Sequence, residues 1–173
     1  MPRVLPTLIL AASLIITGCS SSEGPTTSSP AAASDLPADA ETALRAGTDF
    51  FLFSVDPDLD FRFGGGSTEG VETFRGWKSL GSTTLAADAR DRLVTALRTG
   101  VLDDGGVPVD CFIPRHGIRV THDEQVHEFV ICFQCSRIRW FIDGAQAGSL
   151  PVTTSPRDAF NAALVSAGLP LAE

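Results

Sequence analysis

The residues with the most chemistry in them are three cysteines and a histidine: Cys111, His116, Cys132 and Cys135. Cys132-Phe133-Gln134-Cys135 has the spacing of a metal-ligand pair, and Cys111 with His116 could complete a set of three sulfurs and one nitrogen of the kind zinc accepts. Copper(I) accepts the same soft donors. A strong zinc signal would carry a second tight pair, and the five-residue step from Cys111 to His116 is not one. The structural alternative is a disulfide from Cys111 to Cys132 or Cys135, closing a loop of about 20 to 25 residues and stabilising by about 3 kcal/mol, with the remaining cysteine buried. A third reading makes Cys132 and Cys135 a redox pair. Thiolate activation usually draws on a helix N-terminus, whereas this pair lies in a strand pattern.

Arg115 and His116 could hold an anionic ligand at the mouth of a hairpin, and a surface ion pair accounts for them equally well. His122 and His127 flank a polar turn and are expected to face solvent. Asp56, Asp58 and Asp60 alternate like the start of a calcium loop, but Phe61 stands where that loop needs Gly and Ser67 where it needs Glu. Gly64-Gly65-Gly66-Ser67 lacks the Lys and the helix of a phosphate-binding loop. There is no Gly-x-Ser-x-Gly and no zinc-protease helix motif, so the sequence offers no catalytic set. With 13 Lys+Arg against 21 Asp+Glu and a formal net charge of −8, nucleic acid is not an expected partner, because phosphate backbones demand clustered cations. The densest basic group, Arg137 and Arg139 with Arg115 and Arg119, reads as solvated strand positions.

These residues must be placed by strands and helices. A short helix is expected over Ala38 to Ala46, stopped by Gly47, and Asp49 to Val55 reads as a buried strand ended by Asp56-Pro57-Asp58. Val71 to Phe74 and Trp77 to Thr84 read as short strands. Leu85, Ala89, Leu93, Ala96 and Leu97 recur at helical spacing, with Thr84 as a candidate cap and Gly100 closing the segment. After a turn at Asp103-Asp104-Gly105-Gly106, strands are expected over Val107 to Ile113, Gly117 to Thr121 and Val126 to Ile142. The last two form a hairpin through His122 to Gln125. If Thr121 pairs with Val126, the register sets Cys111 opposite Ser136. The apolar phase flips between Phe133 and Ile138, which a β-bulge at Cys-Phe-Gln-Cys would explain. A last helix is signalled by Ser155, Pro156 and Asp158, with Phe160, Ala163, Leu164 and Ala167 as its buried stripe and Gly168 at its end. The expected fold is α+β: one domain at 37–173, an antiparallel sheet of about five strands covered by two amphipathic helices. Hydrophobic residues at 43%, including 11 Phe, supply the apolar surface for a core of that size.

Ahead of the domain, Arg3, the apolar stretch from Val4 to Ile16 and the small residues before Cys19 have the architecture of an export signal over 1–18. The stretch is shorter than the ~20 residues of a spanning helix, and Pro6 interrupts it. Leu14-Ile15-Ile16-Thr17-Gly18-Cys19 resembles the lipobox of bacterial lipoproteins, with Ile16 where Leu is more usual. That resemblance implies acylation of Cys19 and anchoring to a membrane. Residues 19–36, rich in Ser, Pro, Thr and Ala, read as the lipidated cysteine and a flexible tether. In such lipoproteins the residue after the cysteine influences sorting, and Ser20 implies the outer membrane, facing the periplasm, in a two-membraned cell.

Assigning Cys19 to lipid leaves three cysteines for the domain, an odd number that rules out two internal disulfides. Cys111 to Ile118 followed by Ile131 to Cys135 resembles a pattern of uncharacterised bacterial exported domains, and no activity comes with that resemblance. The expected function is therefore a membrane-anchored envelope lipoprotein with a non-catalytic binding or structural domain and an envelope partner. The alternative is a metal-binding or thiol-redox lipoprotein using Cys111, His116, Cys132 and Cys135.

Overall fold

Alternation dictates the centre of the sheet. In the computed structural model, which describes residues 35–65, 67, 69–103 and 110–173, β4 (His116–His122) and β5 (Gln125–Cys132) pair antiparallel with Thr121 opposite Val126, the expected register. Asp123 and Glu124 both have positive φ, 48° and 65°, which gives the two-residue turn the twist a tight hairpin needs. Ile118, Val120, Phe129 and Ile131 then point to one face, where all four are fully buried.

Among the described residues seven strands form one antiparallel sheet, curled as a half-barrel, in the order β2-β3-β1-β4-β5-β6-β7. β1 (Thr48–Asp56) lies between β4 and β3 (Trp77–Thr84), and β2 (Thr73–Phe74) edges β3. β6 (Arg137–Ile142) continues from β5, and β7 (Ala145–Pro151) forms the far edge. Four helices accompany the strands among the described residues: α1 (Ala38–Ala46), α2 (Leu59–Arg62), α3 (Ala87–Leu102) and α4 (Arg157–Ser166). The α+β class and the antiparallel sheet are as expected. The strand and helix numbers exceed the expected five and two, because β7 and the single turn α2 carry little apolar pattern and the long segment from Val126 to Ile142 is two strands. No described helix is long and apolar enough to cross a membrane.

One face of the sheet is closed by helices. Ala40, Ala43 and Leu44 of α1, Leu93, Val94, Leu97 and Val101 of α3, and Phe160 and Leu164 of α4 pack on Leu52, Ile118, Phe129, Ile131 and Ile138. Each fully buried large side chain contributes roughly 1.5–3 kcal/mol of transfer free energy. Leu36, placed in the tether by sequence, belongs to this core at 4% exposure, and Asp35 beside it meets Arg98 at 3.4 Å. α3 begins at Ala87 with no side-chain cap, so Thr84 does not serve as one, and it runs through Gly100. Gly100 is tolerated in the helix because its missing Cβ leaves room for Pro156 at the head of α4.

The opposite face is closed by aromatic rings and arginines. Phe74 stacks on Phe53 with centroids 4.4 Å apart and covers Gly117, where any Cβ would overlap the Phe74 ring. Arg119 lies over Phe53 and Phe74, Arg75 over Phe141 and Arg139 over Phe112. Glu128, buried at 6% exposure, receives Arg119 at 2.9 Å and Arg75 at 3.2 Å. Arg119 and Arg139 are therefore packed over rings rather than simply solvated. The signal, lipobox and tether through residue 34, the turn at 104–106 and the start of the strand expected at 107–113 lie outside the described residues; from Asp110 to Arg115 there is no strand.

Candidate functional site

The cysteines meet at a turn. β5 ends at Cys132, Phe133 to Ser136 reverse the chain, and β6 starts at Arg137, paired with Cys132. This reversal, not a β-bulge, produces the phase flip: Phe129 faces Trp140 and Ile131 faces Ile138 across the hairpin, so the apolar residues of both strands share one face. Ser136 takes a φ of 50° to close the turn, and its amide donates to Phe133 O at 3.3 Å. A disulfide joins Cys132 to Cys135 across it, which corrects the expected pairing of either cysteine with Cys111. A bond spanning three residues pins the turn, where the expected long-loop bond would have stapled two distant segments.

Cys111 reaches the same place by another path. Strand pairing stops at His116 opposite Ile131, so Cys111 does not stand opposite Ser136 in the ladder. The segment before β4 instead brings its exposed thiol to 3.3 Å from Cys135 Sγ. Ile113 N–H donates to Cys135 Sγ at 3.4 Å, and Cys135 N–H donates to Cys132 Sγ at 3.1 Å. Three sulfurs are gathered, and two of them are bonded to each other.

His116 does not join them. It opens β4 on the core side at 3% exposure, with its ring 5.2 Å from that of Phe133 and 5.6 Å from that of Phe160. Nε2 shares a hydrogen bond with Asn161 Oδ1 on α4 at 2.8 Å. Burial pushes the His116 pKa down to about 4, with the charges of Arg115 and Arg157 acting in the same direction against the Asn161 hydrogen bond. The expected zinc or copper set of Cys111, Cys132, Cys135 and His116 thus does not fit: two of the sulfurs are bonded to each other, and His116 is packed against Phe133 and Phe160 at the head of β4 rather than gathered with the sulfurs. No group of three or more ligating side chains is assembled for a metal among the described residues.

Arg115 and His116 do line one cleft together, about 490 Å³ in volume, with Ile113, Phe133, Gln134, Thr154 and Arg157. Arg115 extends along its rim, donating to Glu173 O at 2.7 Å and to Gln134 Oε1 at 3.0 Å. Arg157, the first residue of α4, approaches a carboxylate only loosely, Asp158 at 3.7 Å. Among the described residues no carboxylate lines the cleft, although acidic residues outnumber basic ones in the chain. A smaller cavity of about 260 Å³ shares Arg115, His116 and Arg157 and adds Asp158, Asn161, Leu171 and Ala172. The intervening residues of the Cys-x-x-Cys turn, Phe133 and Gln134, form one wall of the larger cleft.

Sequence reasoning missed Arg157, Thr154 and Asn161, which reach the site only because α4 docks on the start of β4. It also set His122 and His127 in solvent. His127 is 3% exposed and accepts the Trp140 indole N–H on Nδ1 at 3.3 Å. Both histidines line a cleft of about 360 Å³ at the other end of β4 and β5, with Asp39, Thr42, Asp123, Gln125 and Ile142. Two carboxylates of the rejected calcium loop have ordinary partners: Asp58 caps α2 through the amides of Asp60 and Phe61, and Asp56 meets Lys78 at 3.2 Å. No family model, no curated protein and no solved structure matches the chain, so its function must be argued from this geometry.

Proposed function

We propose that the chain is a lipid-anchored protein of a bacterial cell envelope whose folded domain binds a small anionic ligand without transforming it. The observation that carries the binding role is the cleft of about 490 Å³ with two guanidinium groups, Arg115 and Arg157, and no carboxylate in its lining among the described residues. Its volume lies within the range of small-molecule sites. Arginine presents a planar fork of donors that matches carboxylate or phosphate oxygens. Thr154 and Gln134 add neutral hydrogen-bonding groups, and neutral His116 forms an inner wall.

The anchoring role rests on the lipobox-like run ending at Cys19 and on the polar stretch that follows. Ser20 favours the outer membrane of a two-membraned cell. Calorimetric titration of the purified protein with inorganic phosphate and with a small dicarboxylate tests the ligand class. Binding should be saturable, weaken with added salt and fall about tenfold in Arg157→Gln, the loss of one charge-assisted hydrogen bond. Equal affinity in Arg157→Gln would remove the cleft from the account. For the anchor, Cys19→Ser should abolish incorporation of labelled palmitate and leave the leader uncleaved; retention of covalent lipid in that variant would refute it.

A further inference from the structure

We infer that Cys111, Cys132 and Cys135 form a thiol–disulfide exchange relay with Cys135 as the shared sulfur, open to small disulfides through Cys111. Three features lead there. The free Cys111 thiol is 3.3 Å from Cys135 Sγ, a distance in the range of reacting atoms held ready to combine. Cys135 is bonded to Cys132, so the neighbour of the free thiol is an electrophilic disulfide sulfur. The Cys135 amide donates to Cys132 Sγ at 3.1 Å, on the sulfur that would leave and where negative charge would develop.

The internal step balances without an external oxidant. Cys111 gives up its proton and its sulfur bonds to Cys135 Sγ. The Cys132–Cys135 bond breaks with its electron pair going to Cys132 Sγ, which takes up a proton. One disulfide and one thiol exist before and after. What changes is accessibility: Cys111 is exposed, whereas Cys132 is 1% exposed behind Ile113. Exchange therefore moves the free thiol between a solvent-facing and a sealed position. In the exposed form the Cys111 thiolate can attack a low-molecular-weight disulfide, forming a mixed disulfide as the displaced small thiolate takes the proton. In the sealed form it cannot. The relay does not rest on the anion-binding reading of the neighbouring cleft.

Trypsin cuts after Arg115, Arg119 and Arg137, so it separates Cys111 from the peptide holding Cys132 and Cys135. The wild-type protein, acid-quenched, alkylated and digested without reduction, should give mostly the internally bridged peptide and roughly 0.1–10% of the cross-linked pair. The cross-linked fraction should rise after a trace of a small thiol catalyst if the two forms had not yet equilibrated. Oxidised glutathione added to Cys132→Ser should yield the Cys111–Cys135 cross-link, and added to Cys135→Ser should leave Cys111 and Cys132 unlinked to each other. A wild-type protein with no cross-linked peptide under thiol catalysis would overturn the relay, as would a ready Cys111–Cys132 bond in Cys135→Ser. The wild-type mapping stands even where a variant fails to fold.

Discussion

The same two strands carry a buried histidine at each end, and the two ends have opposite electrical character. At one end His116 faces Arg115 and Arg157 in a cleft without carboxylates among the described residues. At the other, His127 shares a cleft with Asp39, Asp123 and His122, and no described Lys or Arg lines it. Both rings are 3% exposed, and burial lowers both pKa values. At the basic end the neighbouring arginines push further in the same direction. At the acidic end His122 adds to the depression, but Asp143 and Asp39 oppose it, and fewer protein atoms surround the ring. Equal shielding from solvent therefore does not make equal sites: burial is the largest influence on both rings, and the charges around each then add to it at the basic end and partly oppose it at the acidic end.

The largest expected effect is on acid stability. His116 is neutral when folded down to pH about 4, whereas in the unfolded chain it titrates near the ordinary histidine value of 6.5. Between those values only the unfolded chain gains the proton, so its contribution is fully present above pH 6.5 and is lost as pH falls toward 4. The loss amounts to about 3 kcal/mol. Urea unfolding at pH 7, 5.5 and 4 should show this slope in the wild-type protein and its removal in His116→Gln. His127→Gln should remove a smaller part of the same slope, and a larger effect at His127 would reverse the ranking of the two ends. Next in size, Arg157→Gln should weaken phosphate binding by about tenfold, while Asp39→Asn and Asp123→Asn leave it within about twofold. Trp140→Phe, which deletes the indole donor to His127, should cost about 1 kcal/mol by denaturant unfolding and leave anion affinity unchanged. Smallest of all, Asp123→Asn should shift stability by less than about 0.5 kcal/mol, since Asp123 is an exposed turn residue whose positive φ asparagine also tolerates.

The contrast between the ends also marks what sequence could reveal. The β4–β5 register was legible because apolar alternation on both sides of a polar turn leaves one pairing that buries Ile118, Val120, Phe129 and Ile131 together. The final helix was legible from Ser155-Pro156 and the spacing of Phe160 and Leu164, although Pro156 takes the cap position and no side chain caps it. The Cys-x-x-Cys turn was misread because a phase flip arises equally from a bulge and from a chain reversal, and alternation alone does not separate them. β7 was missed because Ala145-Gln146-Ala147-Gly148-Ser149 has little strand propensity; the Asp143-Gly144 turn, with φ of 47° and 85°, folds it back onto β6. At the site, Arg115 and His116 stand out because they adjoin the cysteine pattern. Arg157 and Asn161 lie some 40 residues further on and join them only through the packing of α4, a tertiary fact with no local signature.

The most direct test of the binding account compares both ends in one experiment. Titration of the ¹⁵N-labelled protein with inorganic phosphate, followed by two-dimensional NMR, should move the amides of Gln134, Thr154 and Arg157 along saturable curves and leave those of Asp39, His122 and Asp123 in place. Shifts that favour the acidic end, or that spread without saturation over both, would contradict it.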